Sequence, residues 1–240
     1  MKKLFSFFER FWEDFLSILY PRLCLGCDAP LLQVEKHICL HCQADLPETS
    51  FHKTPFNNTF TERLTGRVPI KAAAACYWFT RRSRVQQLIH HIKYRDKPYA
   101  ATEIGRMYGY ALSRAPPFAE ADCLIPVPMH PQKQHLRGYN QAEVFAQGLS
   151  ESMQIPLIIN NLYKTKMTES QTKMSRQKRL ENAAGVFALR HPMALRGKKI
   201  ILADDVMTSG ATLESCCQAI LDELPDAEIQ LVTIAFAESS

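Results

Sequence analysis

The stretch Ile200-Ile-Leu-Ala-Asp-Asp-Val-Met-Thr-Ser-Gly-Ala-Thr212 admits few folds, because it runs from a buried strand into two carboxylates and then a small, hydroxyl-rich turn. Ile200 to Ala203 form an apolar run after the basic turn Arg196-Gly-Lys-Lys199, as a central parallel strand covered on both faces requires. Asp204 and Asp205 follow at its carboxyl end, the edge where open α/β sheets bind ligands. Ionised carboxylates only accept hydrogen bonds, so the pair suits the vicinal hydroxyls of a sugar. Thr208, Ser209, Gly210, Ala211 and Thr212 are small enough for the backbone to close around a ligand. A helical pattern from Leu213 aims its free amides and positive dipole end at the same place, which suits a phosphate. A capped strand-to-helix turn uses the same small residues without any ligand. The ordered succession of strand, acid pair and loop favours the sugar-phosphate reading.

A second constellation lies near the amino terminus. Cys24-Leu-Gly-Cys27 and Cys39-Leu-His-Cys42 are two Cys-x-x-Cys knuckles separated by eleven residues. Four thiolates from two such knuckles make the closed tetrahedral set that structural zinc prefers, so Cys24, Cys27, Cys39 and Cys42 are the expected ligands. His37 and His41 stand beside the second knuckle and offer an alternative ligand. Cys76, Cys123, Cys216 and Cys217 sit in apolar surroundings and read as reduced core residues, which fits a cytoplasmic protein.

Length and composition set the frame. A chain of 240 residues, 46% hydrophobic and 22% charged, has room for one α/β domain plus a small appendage. Its net charge of +5 permits phosphate or nucleic-acid binding without requiring it. Leu4, Phe8, Phe11, Trp12, Phe15 and Leu19 recur at helical spacing and predict an amphipathic helix ending before Pro21. Glu9, Arg10, Glu13 and Asp14 interrupt the apolar run, which excludes a signal peptide or a membrane span. Docking of residues 4–19 on protein is favoured over membrane contact. Pro47 to Pro69 reads as a polar linker with at most one short element, and a boundary near residue 55 gives units 1–55 and 56–240. Ile70 to Phe79 suggests a strand, and Val85 to Tyr94 and Tyr99 to Leu112 suggest helices. Asp122 to Pro128 is a short strand cut by prolines, and a helix runs from Ala142 to about Met153.

Two basic segments complete the set. Met129-His-Pro-Gln-Lys-Gln-His-Leu-Arg-Gly-Tyr-Asn-Gln141 reads as a loop between strand and helix. There Arg137 could fork onto diphosphate oxygens and Gly138 let the backbone approach, although a solvated surface loop fits the same composition. Residues 163–182 are long, polar and basic without an apolar period, as expected for a loop, a solvated helix or a groove for a nucleic-acid backbone.

The acid pair and the Thr208-to-Thr212 loop resemble the signature of type I phosphoribosyltransferases. That resemblance implies that Asp204 and Asp205 hold the ribose hydroxyls of phosphoribosyl pyrophosphate (PRPP) and that the loop binds its 5′-phosphate. Together with the zinc knuckles, the Lys93-Tyr94 step, the Pro-Val-Pro strand and Arg137-Gly-Tyr-Asn-Gln141, the chain resembles the ComF family of competence-associated phosphoribosyltransferase-like proteins. The family pattern in 163–182 is matched by paired basic residues followed by Thr168, Gln171, Arg176, Arg179 and Asn182. Ser209, Lys164, Lys166 and Tyr139 depart mildly from it.

The resemblance implies an α/β fold with a mostly parallel sheet flanked by helices, a four-cysteine zinc ribbon, and magnesium bound together with PRPP. Lys93 and Arg137 then join the ligand site, and Lys164, Lys166, Arg176 and Arg179 become candidates for a loop closing over it. The implied role is natural competence, with single-stranded DNA and the competence machinery as partners. If active, the protein would transfer a phosphoribosyl group to a nitrogen nucleophile. The alternatives are a non-catalytic single-stranded DNA module and a metabolic phosphoribosyltransferase unrelated to competence.

Overall fold

The computed structural model describes residues 21–94, 98–165 and 186–238. The amphipathic segment 4–19 lies outside them. The chain forms two compact units, Met1–Leu46 and Pro47–Ser240. In the first, the loop between the knuckles leads into α1 (Leu40–Asp45). Glu35 pins that loop by accepting the amides of Leu32 and Leu40, each at 2.7 Å.

The second unit runs α2 (Thr59–Leu64), β1 (Ala72–Phe79), α3 (Arg84–Tyr94), α4 (Pro98–Leu112), β2 (Cys123–Pro126), α5 (Pro131–Arg137), α6 (Gln141–Met153), β3 (Leu162–Lys164), β4 (Phe187–Leu189), β5 (Lys199–Met207), α7 (Ala211–Glu223) and β6 (Glu228–Ala237). Four strands make one sheet in the order β1-β6-β5-β2, and each pairing is parallel. The apolar runs that predicted these strands fill its interior: Ala72 to Ala75, Ile200 to Ala203 and Leu231 to Phe236 are buried throughout. Helices cover the sheet, and no helix among the described residues is long and apolar enough to cross a membrane.

The register creates the crevice that matters. β2 pairs with β5 only from Cys123↔Ile200 to Pro126↔Ala203, whereas β6 accompanies β5 as far as Met207↔Phe236. Prolines 126 and 128 lack the amide that a continuing ladder needs. The last tie is Val127 N–H to Ala203 O at 2.8 Å, so beyond the end of β2 Asp204 keeps a ladder partner, Thr233, on the β6 side only.

Three readings of the sequence change here. Pro47 to Pro69 is packed structure rather than a linker. Phe51 meets Trp78 and Phe236 with ring centroids 5.1 and 5.5 Å apart, Ala73 N–H donates to Pro55 O, and Trp78 N–H donates to Pro47 O. The compact units accordingly divide at Leu46 and Pro47, ahead of the expected boundary near residue 55. Asn58 caps α2 through the amides of Phe60 and Thr61, and Thr61 returns the bond to the Asn58 amide.

The supposed loop 129–141 contains α5, begun by the His130 side chain accepting from Gln132 N–H and by Pro131 at the first position. It ends at Gly138, whose φ of 78° needs a residue without a side chain. The helix buries none of its residues, so it leaves no apolar period to read. Lys164, expected in the closing basic loop, lies instead on β3, which pairs antiparallel with β4.

α4 and α6 cross at backbone contact. A Cβ on Gly148 would stand 2.0 Å from Thr102 O, and one on Gly105 would stand 2.3 Å from Phe145 O. This crossing places Asn140 at the head of α6, from where its side-chain amide donates to Val127 O and fixes the end of β2.

Candidate functional site

The acid pair projects from the last third of β5. Lys93, near the end of α3, reaches across and sets its ammonium 2.8 Å from Asp205 Oδ2, with both side chains largely shielded. The Asp205 amide donates to Asp204 Oδ1 at 2.8 Å. Burial, and then the adjacent Asp205 carboxylate, push the Asp204 carboxyl up to about 8, against the opposing pull of that amide and of Lys93. Both effects favour the protonated form of Asp204, and a protonated carboxyl beside an ionised one offers one donor and several acceptors.

Beyond Met207 the chain turns through Thr208 and Ser209 to Gly210, which starts α7 with φ of 83°. A Cβ there would stand 2.8 Å from Met207 Cε and 2.9 Å from Leu64 Cδ2, both ends of flexible side chains, so it is the positive φ that favours glycine. Gly210 supplies no capping side chain, and at the start of α7 the Ala211 amide donates to Ser209 Oγ at 3.5 Å.

The loop is braced from the segment that sequence treated as a linker. Arg63 Nη1 donates to Thr208 O at 2.8 Å and to Ala237 O at 2.6 Å, with its guanidinium 4.2 Å above the Phe236 ring. Arg67 Nη1 donates to Ser209 O at 2.8 Å, and Arg67 also pairs with Glu214 in the first turn of α7. Two consecutive loop carbonyls are thus drawn outward, and the carboxylate nearest the helix start is neutralised. Neither arginine was singled out from sequence, since each lies more than 140 residues from its partner in the chain. The Asn58-x-x-Thr61 cap beside them was the available signal.

Arg137, at the end of α5, meets the end of α3. It donates to Gln141 Oε1 at 3.0 Å and to Tyr94 Oη at 3.3 Å, with its guanidinium 5.0 Å from the Tyr94 ring centre. Tyr139 donates its hydroxyl to Ile92 O. The Lys93-Tyr94 step thus carries one contact to the acid pair and one to Arg137.

In the other unit, the four cysteine sulfurs of Cys24, Cys27, Cys39 and Cys42 all lie within 4.8 Å of one another. A tetrahedral zinc with bonds of about 2.3 Å spaces its sulfurs about 3.8 Å apart, and Cys27 Sγ stands 3.8 Å from Cys39 Sγ. The Gly26 and Cys39 amides donate to Cys24 Sγ, and the Cys42 amide donates to Cys39 Sγ. Burial raises the Cys24 thiol, but backbone amides overcome that and hold it at about 7. The cluster could hold a metal ion, and the donor set is one that zinc prefers.

Comparison with known proteins bears on both units. The phosphoribosyl transferase domain family matches residues 139–240. Competence protein F of Haemophilus influenzae is 30% identical over 154 residues, spanning 62% of this chain and 67% of that protein. The chain belongs to the ComF family. Competence protein ComFC of Bacillus subtilis is 24% identical over 222 residues, covering 91% of this chain and 87% of its own length. DNA utilization protein YhgH of Escherichia coli K12 is 26% identical over 137 residues, covering 56% and 60%.

Within this ComF-family chain, Lys93, Asp204, Asp205 and the stretch Thr208 to Thr212 converge on one edge of the sheet. Arg137 touches Tyr94, the residue after Lys93, and Gly138 ends α5. Lys164 stays on the small ribbon, its ammonium 5.6 Å from the Phe187 ring centre. Lys166, Arg176 and Arg179 lie outside the described residues, as do Thr168, Gln171 and Asn182.

Proposed function

We propose that this ComF-family protein binds Mg·PRPP at the carboxyl edge of β5 and serves DNA uptake in natural competence. The observation that carries the reading is the end of the β2–β5 ladder at Pro126↔Ala203, which leaves Asp204 and Asp205 beyond the reach of β2 and directly ahead of the Thr208-to-Thr212 turn. The acid pair would take the ribose hydroxyls, the turn and the first amides of α7 the 5′-phosphate, and Arg137 and Lys93 the diphosphate. Magnesium, when bound, neutralises the leaving diphosphate. Lys93 would then exchange its contact with Asp205 for a diphosphate oxygen. The competence role rests on the likeness to competence protein F and ComFC. In the other unit we propose one zinc ion held by Cys24, Cys27, Cys39 and Cys42.

Thermal unfolding tests the pocket. Mg·PRPP at saturating concentration should raise the melting temperature, because a ligand bound only by the folded chain stabilises it. Ribose 5-phosphate and pyrophosphate, added separately, should each do much less. Equal shifts from pyrophosphate alone would remove the ribose from the assignment.

A further inference from the structure

A cavity of about 690 Å³ opens beside residues 52–57 and the turn after α4. It lies at the opposite edge of the sheet from the acid pair. Pro55 accepts the amide of Ala73 at the start of β1, and Arg114 to Pro116 follow the end of α4. Among the described residues its charged or titratable lining is His52, Lys53 and Arg114, with no carboxylate. Glu48 lines only a neighbouring cavity of about 120 Å³ on another side of His52.

The lining is divided in character. Arg114 lies with its guanidinium 3.5 Å from the Tyr110 ring centre and is fixed by donating to Tyr110 O at 2.8 Å. Lys53 projects from an exposed position. Phe56 leaves 59% of its surface exposed at the cavity, a flat apolar face in an otherwise polar turn. Thr54 and Asn57 add a hydroxyl and an amide beside it. His52 Nδ1 is buried without a hydrogen-bond partner, an unpaired polar atom of a kind that native structures rarely keep. Desolvation, and then Lys53, lower the His52 pKa against the opposing pull of Glu48, which favours the neutral ring with one donor and one acceptor.

We propose that this cavity is a binding site for a nucleoside monophosphate. The volume suits a ligand of that size. Phe56 offers a stacking platform for a base, Asn57 and Thr54 offer hydrogen bonds to its edge, and Lys53 and Arg114 offer charge to the phosphate. An inorganic anion would leave the Phe56 face bare, and an apolar ligand would strand two cations.

The experiment is a calorimetric titration of the full zinc-loaded chain carrying Asp204→Asn and Asp205→Asn, so that the acid-pair crevice does not contribute. AMP, GMP, CMP and UMP are tested singly, with adenosine and inorganic phosphate as separate arms. At least one nucleotide should bind, with adenosine and phosphate each at least about tenfold weaker. Adding Lys53→Gln and Arg114→Gln should weaken it about tenfold or more, since hydrogen bonds to charged groups are among the stronger ones. Phe56→Ala should cost a similar factor through lost stacking. All three side chains are exposed, so the fold should survive. Absence of binding by all four nucleotides, binding indifferent to these substitutions, or phosphate binding as tightly as the nucleotide would overturn the proposal.

Discussion

Replacing Arg63 with Met separates a brace of the proposed phosphate loop from an ordinary stability contact. Met keeps an apolar stem over Phe236 and removes the donors to Thr208 O at 2.8 Å and Ala237 O at 2.6 Å. Hydrogen bonds with a charged partner contribute about 1.5–3 kcal/mol each, and Arg63 is half-exposed, so water would take over part of each bond and the low end applies. The cation over the Phe236 ring adds about 0.5–1 kcal/mol. The total is about 3–4 kcal/mol. For a chain of this size that should lower the melting temperature by roughly 6–15 °C. Only the Thr208 share acts on the loop, about 1.5 kcal/mol, which corresponds to roughly tenfold weaker Mg·PRPP binding. Thermal unfolding and calorimetry on the same preparation measure both. Arg63→Lys should recover part of each loss. A full stability loss with unchanged Mg·PRPP affinity would refute the bracing argument, since Arg63 would then only tie the end of β6.

Asp204 predicts a pH signature. Its carboxyl, raised by burial and by Asp205, keeps in the folded chain a proton that the unfolded chain has already lost. Stability should therefore fall as pH rises from the ordinary carboxylate range toward about 8 and level off above it. Urea unfolding of Asp204→Asn at about pH 5 and about pH 9 should show this fall reduced. Gly148→Ala would drive a methyl to 2.0 Å from Thr102 O, and the forced separation of α4 and α6 should cost about 3 kcal/mol or more in chemical unfolding. Metal analysis should find about one zinc per chain, and chelation should abolish amide-exchange protection in residues 24–46. Full protection in metal-free, reduced protein would count against the zinc assignment.

How much the sequence disclosed depended on whether a feature was local. The strands of the parallel sheet were readable because Ile200 to Ala203 and Asp122 to Pro128 are short apolar runs with sharp ends. The acid pair and its turn were readable for the same reason: strand, carboxylates and glycine lie within thirteen consecutive residues. What escaped was non-local or lacked an apolar signature. Arg63 and Arg67 serve a loop encoded far downstream, and nothing about them in isolation points to it. Phe51 and Phe60 looked like scattered aromatics in a polar linker until Phe236 supplied their common partner, with centroids 5.5 and 5.4 Å away. α5 has no buried face. Gly105 and Gly148 lie on two separately amphipathic helices, and only their crossing explains why neither tolerates a side chain.

The most direct test of the central claim is calorimetric titration of the full zinc-loaded chain with Mg·PRPP, beside the Asp204→Asn, Asp205→Asn double variant. Saturable binding that weakens by about a hundredfold or more in the variant is the expected result, because the crevice would lose both of its carboxyl groups. Equal affinity in the two proteins would contradict it and move PRPP, if it binds, away from the edge of β5.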